Sequence, residues 1–513
     1  YLYRACITRN KLTLDSAAYY LFEPISVDDK KEGVQVDGSY YQHGKQQAIA
    51  SYGRVFVANS VSAAYYLRET KYALPSAKLD ILVNYTKDTF LKTLRGSFYD
   101  FNVRGRGISR KDSLLGNVSD IIEKMKSIDP ANLPYWEASI LRTTLKKGAD
   151  YKVQPSHAQF WKSNYTLHIR ADYTFSVQSS SSRTLRTERG NDENILGKFL
   201  PDGATNLQRS GAEYVNIMPV WEWDKIPGTT SRDYLTDNGS AIQKSWGIPG
   251  TSEFVGGVSD GMFGVTTYDL NSDSVEAKKS WFFFDKEIYC LGAGINSKAF
   301  EHITTTVNQA WLEGKVETSS TNLKGARSWV LHDGIGYFFP NGENIKLSAQ
   351  VQQGSWHKIN HFYDQEEIKH SVFKIWIDHG NKPADQTYSY AILPKIDLNG
   401  IKKYRNNNAV HILANTNSIQ AIKHDGLDMI QIVFHKAGSL VTGKFSIKVD
   451  QPCCVYIKDF SKGKAVLYVA DPSQKLALVN VQLKLSKSKE ETVIKCVLPK
   501  NAIAGATVSF AIN

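Results

Sequence analysis

Cysteine is scarce in this 513-residue chain. There are five, Cys6, Cys290, Cys453, Cys454 and Cys496, odd in number and without a Cys-x-x-Cys spacing. That pattern excludes a disulfide scaffold and a cysteine-ligated zinc module. No run of 18 apolar residues occurs, so no membrane-spanning helix is expected. Internal repeats, low-complexity tracts and nucleic-acid-binding motifs are also absent. The formal net charge is nevertheless +11, with Lys and Arg scattered along the chain instead of gathered in one tract. A polyanionic partner follows from the charge, and the scatter favours an acidic polysaccharide over nucleic acid. The chain opens at Tyr1 with neither an initiator Met nor a leader pattern, and it reads as starting inside a helical region. An N-terminally incomplete sequence is therefore expected.

What is present divides by period. Residues 1–150 read as helices, with apolar residues three and four apart over 46–68, 75–94, 113–127 and 134–147; Asp112 or Ser113 would cap the third. Pro75 and the segment from Asp129 to Pro134 mark breaks. After about 150 the period changes to two. Tyr165, Leu167, Ile169 and Ala171 alternate with polar neighbours, Trp281 to Phe284 and Ile288 to Leu291 read as paired strands, and a hairpin turns at Asp333-Gly334. The expected fold is multidomain. Helical hairpins over 1–150 precede antiparallel β-sandwiches over 151–404 and 405–513, the last including strands from Ala465 and Leu476.

Two stretches of the helical part carry chemistry. Asp-Gly-Ser-Tyr-Tyr-Gln-His-Gly (37 to 44) leads into a helix read from Gln46, with Ile49, Tyr52 and Phe56 on one stripe. Were His43 helical too, nine residues at about 100° each would set it opposite Tyr52. Gly44 breaks the pattern, so His43 is placed on the entering loop, free to fold back toward Tyr52. Taken alone, Tyr52 also suits a core tyrosine. The second stretch runs from Asp100 to Arg110 and includes Gly-Arg-Gly-Ile-Ser-Arg (105 to 110). Glycine permits sharp turns and close approach, and arginine offers a planar fork for carboxylate or sulfate. By itself it equally suits a solvated basic turn.

These two stretches, in this order and separation, resemble the active-site segments of polysaccharide lyase family 8. Its members cleave uronic-acid polysaccharides by elimination. The resemblance covers nearly the whole chain and implies an incomplete α/α toroid over the helical part. It implies His43, Tyr52, Arg106 and Arg110 as catalytic residues, with Tyr52 as general base and acid. It also implies Glu188, within the loop from Arg183 to Gly197, as the glutamate that orients the arginines. Glu193 competes for that role, and Glu188 is preferred because it stands three positions before Asn191, which matches a substrate-side asparagine. Without the resemblance this loop reads as exposed and charged.

Trp246 is a candidate for stacking on a sugar, or an ordinary core tryptophan. Glu222 and Asp224 would share one face of a strand, and Asp233 and Tyr234 follow a Pro-Gly turn. These hard oxygen donors match a divalent-cation site of the family, so a structural Ca²⁺ is expected, with no cofactor needed for catalysis. The implied substrate is chondroitin sulfate of the A and C types, with hyaluronan as a second polymer. A hyaluronate- or xanthan-preferring lyase, or a carbohydrate-binding homologue without catalysis, are the alternatives. The resemblance further implies a secreted or periplasmic monomer. The family's carboxylate-gripping asparagine and stacking aromatics of the toroid would lie upstream of Tyr1.

Overall fold

The computed structural model describes residues 1–234, 246–443, 445–461, 464–485 and 491–512. The first part is helical. Helices α1 (Leu2–Ile7) and α2 (Lys11–Phe22) precede a small antiparallel sheet of β1 (Gly33–Val34), β2 (Tyr40–Gln42) and β3 (Gln46–Gln47). Helices α3 (Tyr52–Leu67), α4 (Ser76–Asn84), α5 (Ser119–Ile128) and α6 (Leu133–Thr143) follow. Val57, Val61, Ala64 and Leu67 of α3 close a core with Leu82, Ile121, Ile122, Met125 and Trp136. α4 runs on through a π turn (Tyr85–Phe90) that brings Tyr85 beneath α3. There its hydroxyl donates to the Ile49 carbonyl at 2.9 Å.

Two helix starts differ from expectation. The helix read from Gln46 begins only at Tyr52, because residues 46–50 use their backbone elsewhere. Gln46 and Gln47 pair with β2, and the Ala50 amide donates to the Val103 carbonyl. The apolar stripe persists across both conformations, which is why periodicity alone misplaces the boundary. The helix expected from 113 starts at Ser119 after Val118, so neither Asp112 nor Ser113 caps it. The Asp112 side chain instead accepts a hydrogen bond from Asn216 of the sheet part.

The central part stacks three antiparallel sheets. One has four strands, Ser156–Phe160, Tyr165–Ile169, Thr174–Ser179 and Asp202–Gln208, in chain order. An eight-stranded sheet is built around Val275–Phe283 and Ile288–Ser297, paired with Trp281 opposite Cys290. A third contains His302–Trp311 and Ile368–Asn381. Phe175 and Val177, Trp281 and Phe283, and Val307 and Phe373 meet in one core between them. Tyr165 to Ile169 is buried on both faces, where alternation would have exposed one, and the strand ends before Ala171. The Asp333-Gly334 hairpin forms as read, both residues at positive φ. A six-stranded and a four-stranded sheet make the last sandwich, which packs Ile422, Met429, Val433 and Tyr456 against the eight-stranded sheet. All five cysteines are free thiols, four of them buried.

The helical and sheet parts are joined where the site lies. Asp100 is fully buried and accepts from the Tyr165 hydroxyl (2.7 Å), the Asn206 amide (2.6 Å) and the Asn102 backbone (2.8 Å). Asn102 donates in turn to Ser176 Oγ and the Ala204 carbonyl. The segment that carries Arg106 and Arg110 is thereby pinned to the four-stranded sheet. Among the described residues no helix is long and apolar enough to cross a membrane.

Candidate active site

The site starts at the β2–β3 hairpin. His43 and Gly44 occupy its apex with φ of +54° and +77°. Positive φ is uncommon outside glycine, and histidine is among the residues that tolerate it best. The Gly44 amide is held by Glu32 Oε1 at 2.6 Å. From the apex the His43 ring lies over Tyr52 at the start of α3, centroids 4.8 Å apart and inclined by 62°. Gly53 lets Tyr52 sit this deep. A Cβ there would lie 2.2 Å from the Tyr85 hydroxyl, so any larger residue would push α3 off the π turn.

The 3₁₀ turns Phe101–Val103 and Gly105–Ser109 bring in the arginines, with Gly105 at φ +53° allowing the reversal. Arg106 Nη2 donates to the Tyr52 phenol oxygen at 3.2 Å. Arg106 Nη1 pairs with Glu188 Oε1, and Nε with Glu193 Oε2 at 3.2 Å. Arg110 grips Glu193 with two parallel bonds, Nε to Oε1 at 2.6 Å and Nη2 to Oε2 at 2.7 Å. The sequence reading set Glu188 and Glu193 as rivals. The structure employs both, one on each arginine, with Arg106 shared.

Glu188 is buried and also faces His43, whose Nδ1 stands 2.8 Å from Oε2. An ionised carboxylate only accepts, so Nδ1 carries the proton in this contact and Nε2 is left for the cleft. The remaining partner is Gln46, which the sequence reading did not single out. Its carboxamide donates to Glu188 Oε2 (3.1 Å) and to the Trp246 carbonyl (3.0 Å), and accepts from the Glu188 amide (3.0 Å). No short-range pattern could have shown this, because the two residues are 142 positions apart.

The charges reinforce one another. Burial works against a charged Arg106, but the Glu188 carboxylate and the Tyr52 phenol outweigh it and hold the guanidinium above its ordinary value. Arg110 is raised by its bonds to Glu193 despite some burial. Burial would raise the Glu193 carboxyl, yet Arg110 and Arg106 hold it below the usual carboxylate range.

The cleft so formed has a volume of about 250 Å³ and is lined by His43, Gln46, Tyr52, Arg106, Arg110 and Glu188, with Arg54 and Arg104 on a further wall. Trp246 stands at the rim, about half exposed, its ring 5.3 Å from the Arg106 guanidinium carbon and edge-on to His43 at 5.8 Å. It is not a core tryptophan. Its ring covers Gly190, where a Cβ would come within 2.7 Å. Asn191 lies exposed on the same loop at φ +52°, outside the residues that line the cleft. A tyrosine beside a guanidinium and an imidazole, under an aromatic rim in a positively charged cleft, suits proton transfer at a carbon next to a carboxylate.

Glu222, Asp224, Asp233 and Tyr234 lie elsewhere, beside the third sheet. Glu222 and Asp224 lie outside any strand, because the backbone turns here, the Lys225 amide donating to the Glu222 carbonyl at 2.9 Å, while the buried Trp221 and Trp223 bond through their indole N–H groups to the Gln309 and Met218 carbonyls. The three carboxylates do converge, but on an ammonium. Lys225 Nζ is 2.7 Å from Asp233, 3.2 Å from Glu222 and 3.8 Å from Asp224, and Lys374 pairs with Glu222 as well. The Tyr234 phenol turns to Asp273 at 2.8 Å, and its backbone N–H donates to Asp224. Among the described residues no three acidic, imidazole or thiol side chains are spaced to hold an ion as they stand. The donor chemistry suits a hard cation, but in this structure the three carboxylates face the Lys225 ammonium.

Helical hairpins followed by stacked antiparallel sandwiches, with a Tyr-His-Arg cleft at their junction, define a class of polysaccharide-degrading enzyme. The chain belongs to polysaccharide lyase family 8. The family's N-terminal alpha-helical domain matches residues 1–139, its super-sandwich domain 155–405 and its C-terminal beta-sandwich domain 411–480. Chondroitinase-AC of Pedobacter heparinus is 47% identical over 99% of this chain and 74% of its own length. A hyaluronate lyase of Thermasporomyces composti is 26% identical over 88% of this chain and 64% of its own. A solved chondroitinase AC lyase superposes with a TM-score of 0.96 at 46% identity, covering 99% of this chain and 77% of that one.

Proposed function

We propose that this chain cleaves chondroitin sulfate of the A and C types by β-elimination at the uronic acid, with hyaluronan as a second substrate. The observation that carries the reading is Tyr52, its phenol oxygen 3.2 Å from Arg106 and its ring against His43. Elimination needs a base for the proton on C5, relief of the charge that develops on the adjoining carboxylate, and an acid for the leaving oxygen on C4. Arg106 donates to the phenol oxygen of Tyr52, and that oxygen takes the C5 proton. The C4–O bond breaks, a C4=C5 double bond forms, and the same phenol returns its proton to the departing oxygen. His43 meets the carboxylate or shares the proton transfer. The 47% identity to a chondroitinase-AC supports chondroitin over the hyaluronate preference of the more distant relative.

Following the ultraviolet absorbance of the conjugated uronate tests the reading. The expected result is a steady rise on chondroitin sulfate and a slower one on hyaluronan. No rise on either polymer leaves a carbohydrate-binding homologue. A secreted or periplasmic location is part of this proposal, because the substrate is a polymer supplied from outside the cell.

Ca²⁺ is proposed as a structural ion that competes with Lys225 for Glu222, Asp224 and Asp233. Three carboxylates facing two ammonium groups leave negative charge to spare, which supports the reading. When bound, the ion would neutralise that charge and tie the turn to the sheet.

A further inference from the structure

Four guanidinium groups line the cleft, and its carboxylates account for two of them. Glu188 and Glu193 hold Arg106 and Arg110. Arg54 and Arg104 line the same cleft, and no carboxylate of the described residues lies within 4 Å of either. Arg54 projects from the first turn of α3, reaches the Asn117 carbonyl at 3.5 Å and faces the Tyr99 phenol, a neutral partner. The first of these contacts is at the outer limit of a hydrogen bond. Arg104 leaves the 3₁₀ turn before Gly105. Its Nη1 donates to the Ala50 carbonyl, its guanidinium carbon stands 4.8 Å over the Tyr99 ring, and its buried Nε has no partner. Burial holds the Arg104 guanidinium down at about 10, the Tyr99 phenol opposes that, and the charges of Arg54 and Arg110 add to the depression. A cation so placed lacks an anion that the folded chain does not provide.

We infer that Arg54 and Arg104 form an anion subsite in the cleft, which takes a carboxylate or a sulfate ester of the acidic polysaccharide. Both are planar or tripodal oxyanions that a guanidinium fork binds with parallel charge-assisted bonds. The glutamates near Tyr52 have already neutralised the two arginines there, so those serve the chemistry. The unneutralised pair lies on the wall beyond them and serves recognition. The basic charge that the whole chain carries becomes local and specific at this wall. The inference rests on the polysaccharide reading of the site, but not on turnover.

The test is direct binding by calorimetry with the full chain carrying Tyr52→Phe, which separates affinity from catalysis. The ligands are oligosaccharides of chondroitin 4-sulfate, of desulfated chondroitin and of hyaluronan. Adding Arg54→Gln or Arg104→Gln is expected to weaken binding about tenfold, the worth of one charge-assisted contact. Arg54→Lys, which keeps the charge, is expected to retain most of the affinity. A loss confined to the sulfated ligand assigns the subsite to sulfate; an equal loss on all three assigns it to the uronate carboxylate. Arg104→Gln removes the bond to Ala50, so its melting temperature is measured alongside; Arg54, half-exposed and weakly bonded, carries the test whether or not Arg104→Gln folds. Unchanged affinity for all three ligands in Arg54→Gln, or no binding by the parent, overturns the inference. Turnover of the chain with Tyr52 intact is measured separately. An active enzyme indifferent to Arg54 and Arg104 sinks the subsite and leaves the lyase reading standing, and the reverse result does the opposite.

Discussion

The Tyr52 phenol oxygen accepts a hydrogen bond from Arg106 Nη2 at 3.2 Å. This contact places a positive charge where a phenolate would form. Tyr52→Phe keeps the ring and its packing and removes only the oxygen. Elimination is expected to fall by roughly 10²- to 10⁴-fold, with the melting temperature and oligosaccharide affinity nearly unchanged. A variant that keeps a tenth of the parent rate in the absorbance assay would remove Tyr52 from the mechanism.

Glu188 is taken up by His43, Arg106 and Gln46, so its replacement should show in turnover before affinity. Glu188→Gln is expected to lower kcat on the order of 10²-fold, the cost of a small misplacement of reacting groups, while KM changes little. Gln46→Leu should act in the same direction but less, about tenfold, because it removes two bonds to Glu188 and leaves the Arg106 pair. Steady-state kinetics that show a raised KM and an intact kcat for either variant would make these residues substrate contacts.

The cation proposal is read from heat stability. An ion that binds only the folded state raises the melting temperature with concentration. Added Ca²⁺ is expected to raise it, a chelator to lower it, and Asp224→Ala to abolish both responses. Lys225→Met should strengthen the response to Ca²⁺ by removing the competing ammonium. Melting curves indifferent to Ca²⁺ and chelator in both the parent and Lys225→Met would reduce the cluster to an internal salt-bridge network.

Four of the imidazoles buried in the sheet part, His157, His168, His332 and His379, are held neutral by that burial. Burial pushes His157 down to about 3 and His332 and His379 to about 4, and holds His168 well below its usual range. All four are neutral in the folded chain, whereas in the unfolded chain they take up protons below about 6.5. The unfolded state then binds more protons, so stability is full above pH 6.5 and falls as pH drops toward 4, by up to ~1.4 kcal/mol per group and pH unit. Denaturant midpoints at pH 7.5, 5.5 and 4.5 check this. A midpoint that is flat across that range would contradict it. Glu193, with its lowered carboxyl, adds a later loss, present above the ordinary carboxylate value and removed only as pH falls through its own depressed one.

Much of this architecture could be read from period alone. The change from three-and-four to two near residue 150 separates the helical from the sheet part, and the paired strands at Trp281 and Ile288 and the Asp333-Gly334 turn stand where alternation puts them. What misled was the stripe through Ile49 and Tyr52, which is apolar whether or not the backbone is helical. The site divides in the same way. His43, Tyr52, Arg106 and Arg110 sit in short, unusual motifs that a resemblance can pick out. Gln46, Arg54 and Arg104 do not, because what distinguishes them is a partner 142 positions away or the lack of a carboxylate partner in space. The alternation of Glu222 and Asp224 suggested a strand face, but the backbone closes a turn there instead, from the Lys225 amide to the Glu222 carbonyl.

The carboxylates that hold Arg106 and Arg110 come 82 and 83 residues later in the chain. At a synthesis rate of about 5 to 20 residues per second, the arginines leave the ribosome roughly 4 to 16 s before their partners. Through that interval the nascent helical part displays a cluster of uncompensated positive charge. It is exposed to the ribosome's own nucleic acid and to any acidic polymer nearby. Arrival of the strands from Tyr165 onward supplies the Tyr165 anchor for Asp100, and Glu188 and Glu193 then quench the cluster. The same pairs that aim the arginines in the finished enzyme therefore also end the interval in which the growing chain is open to unintended partners.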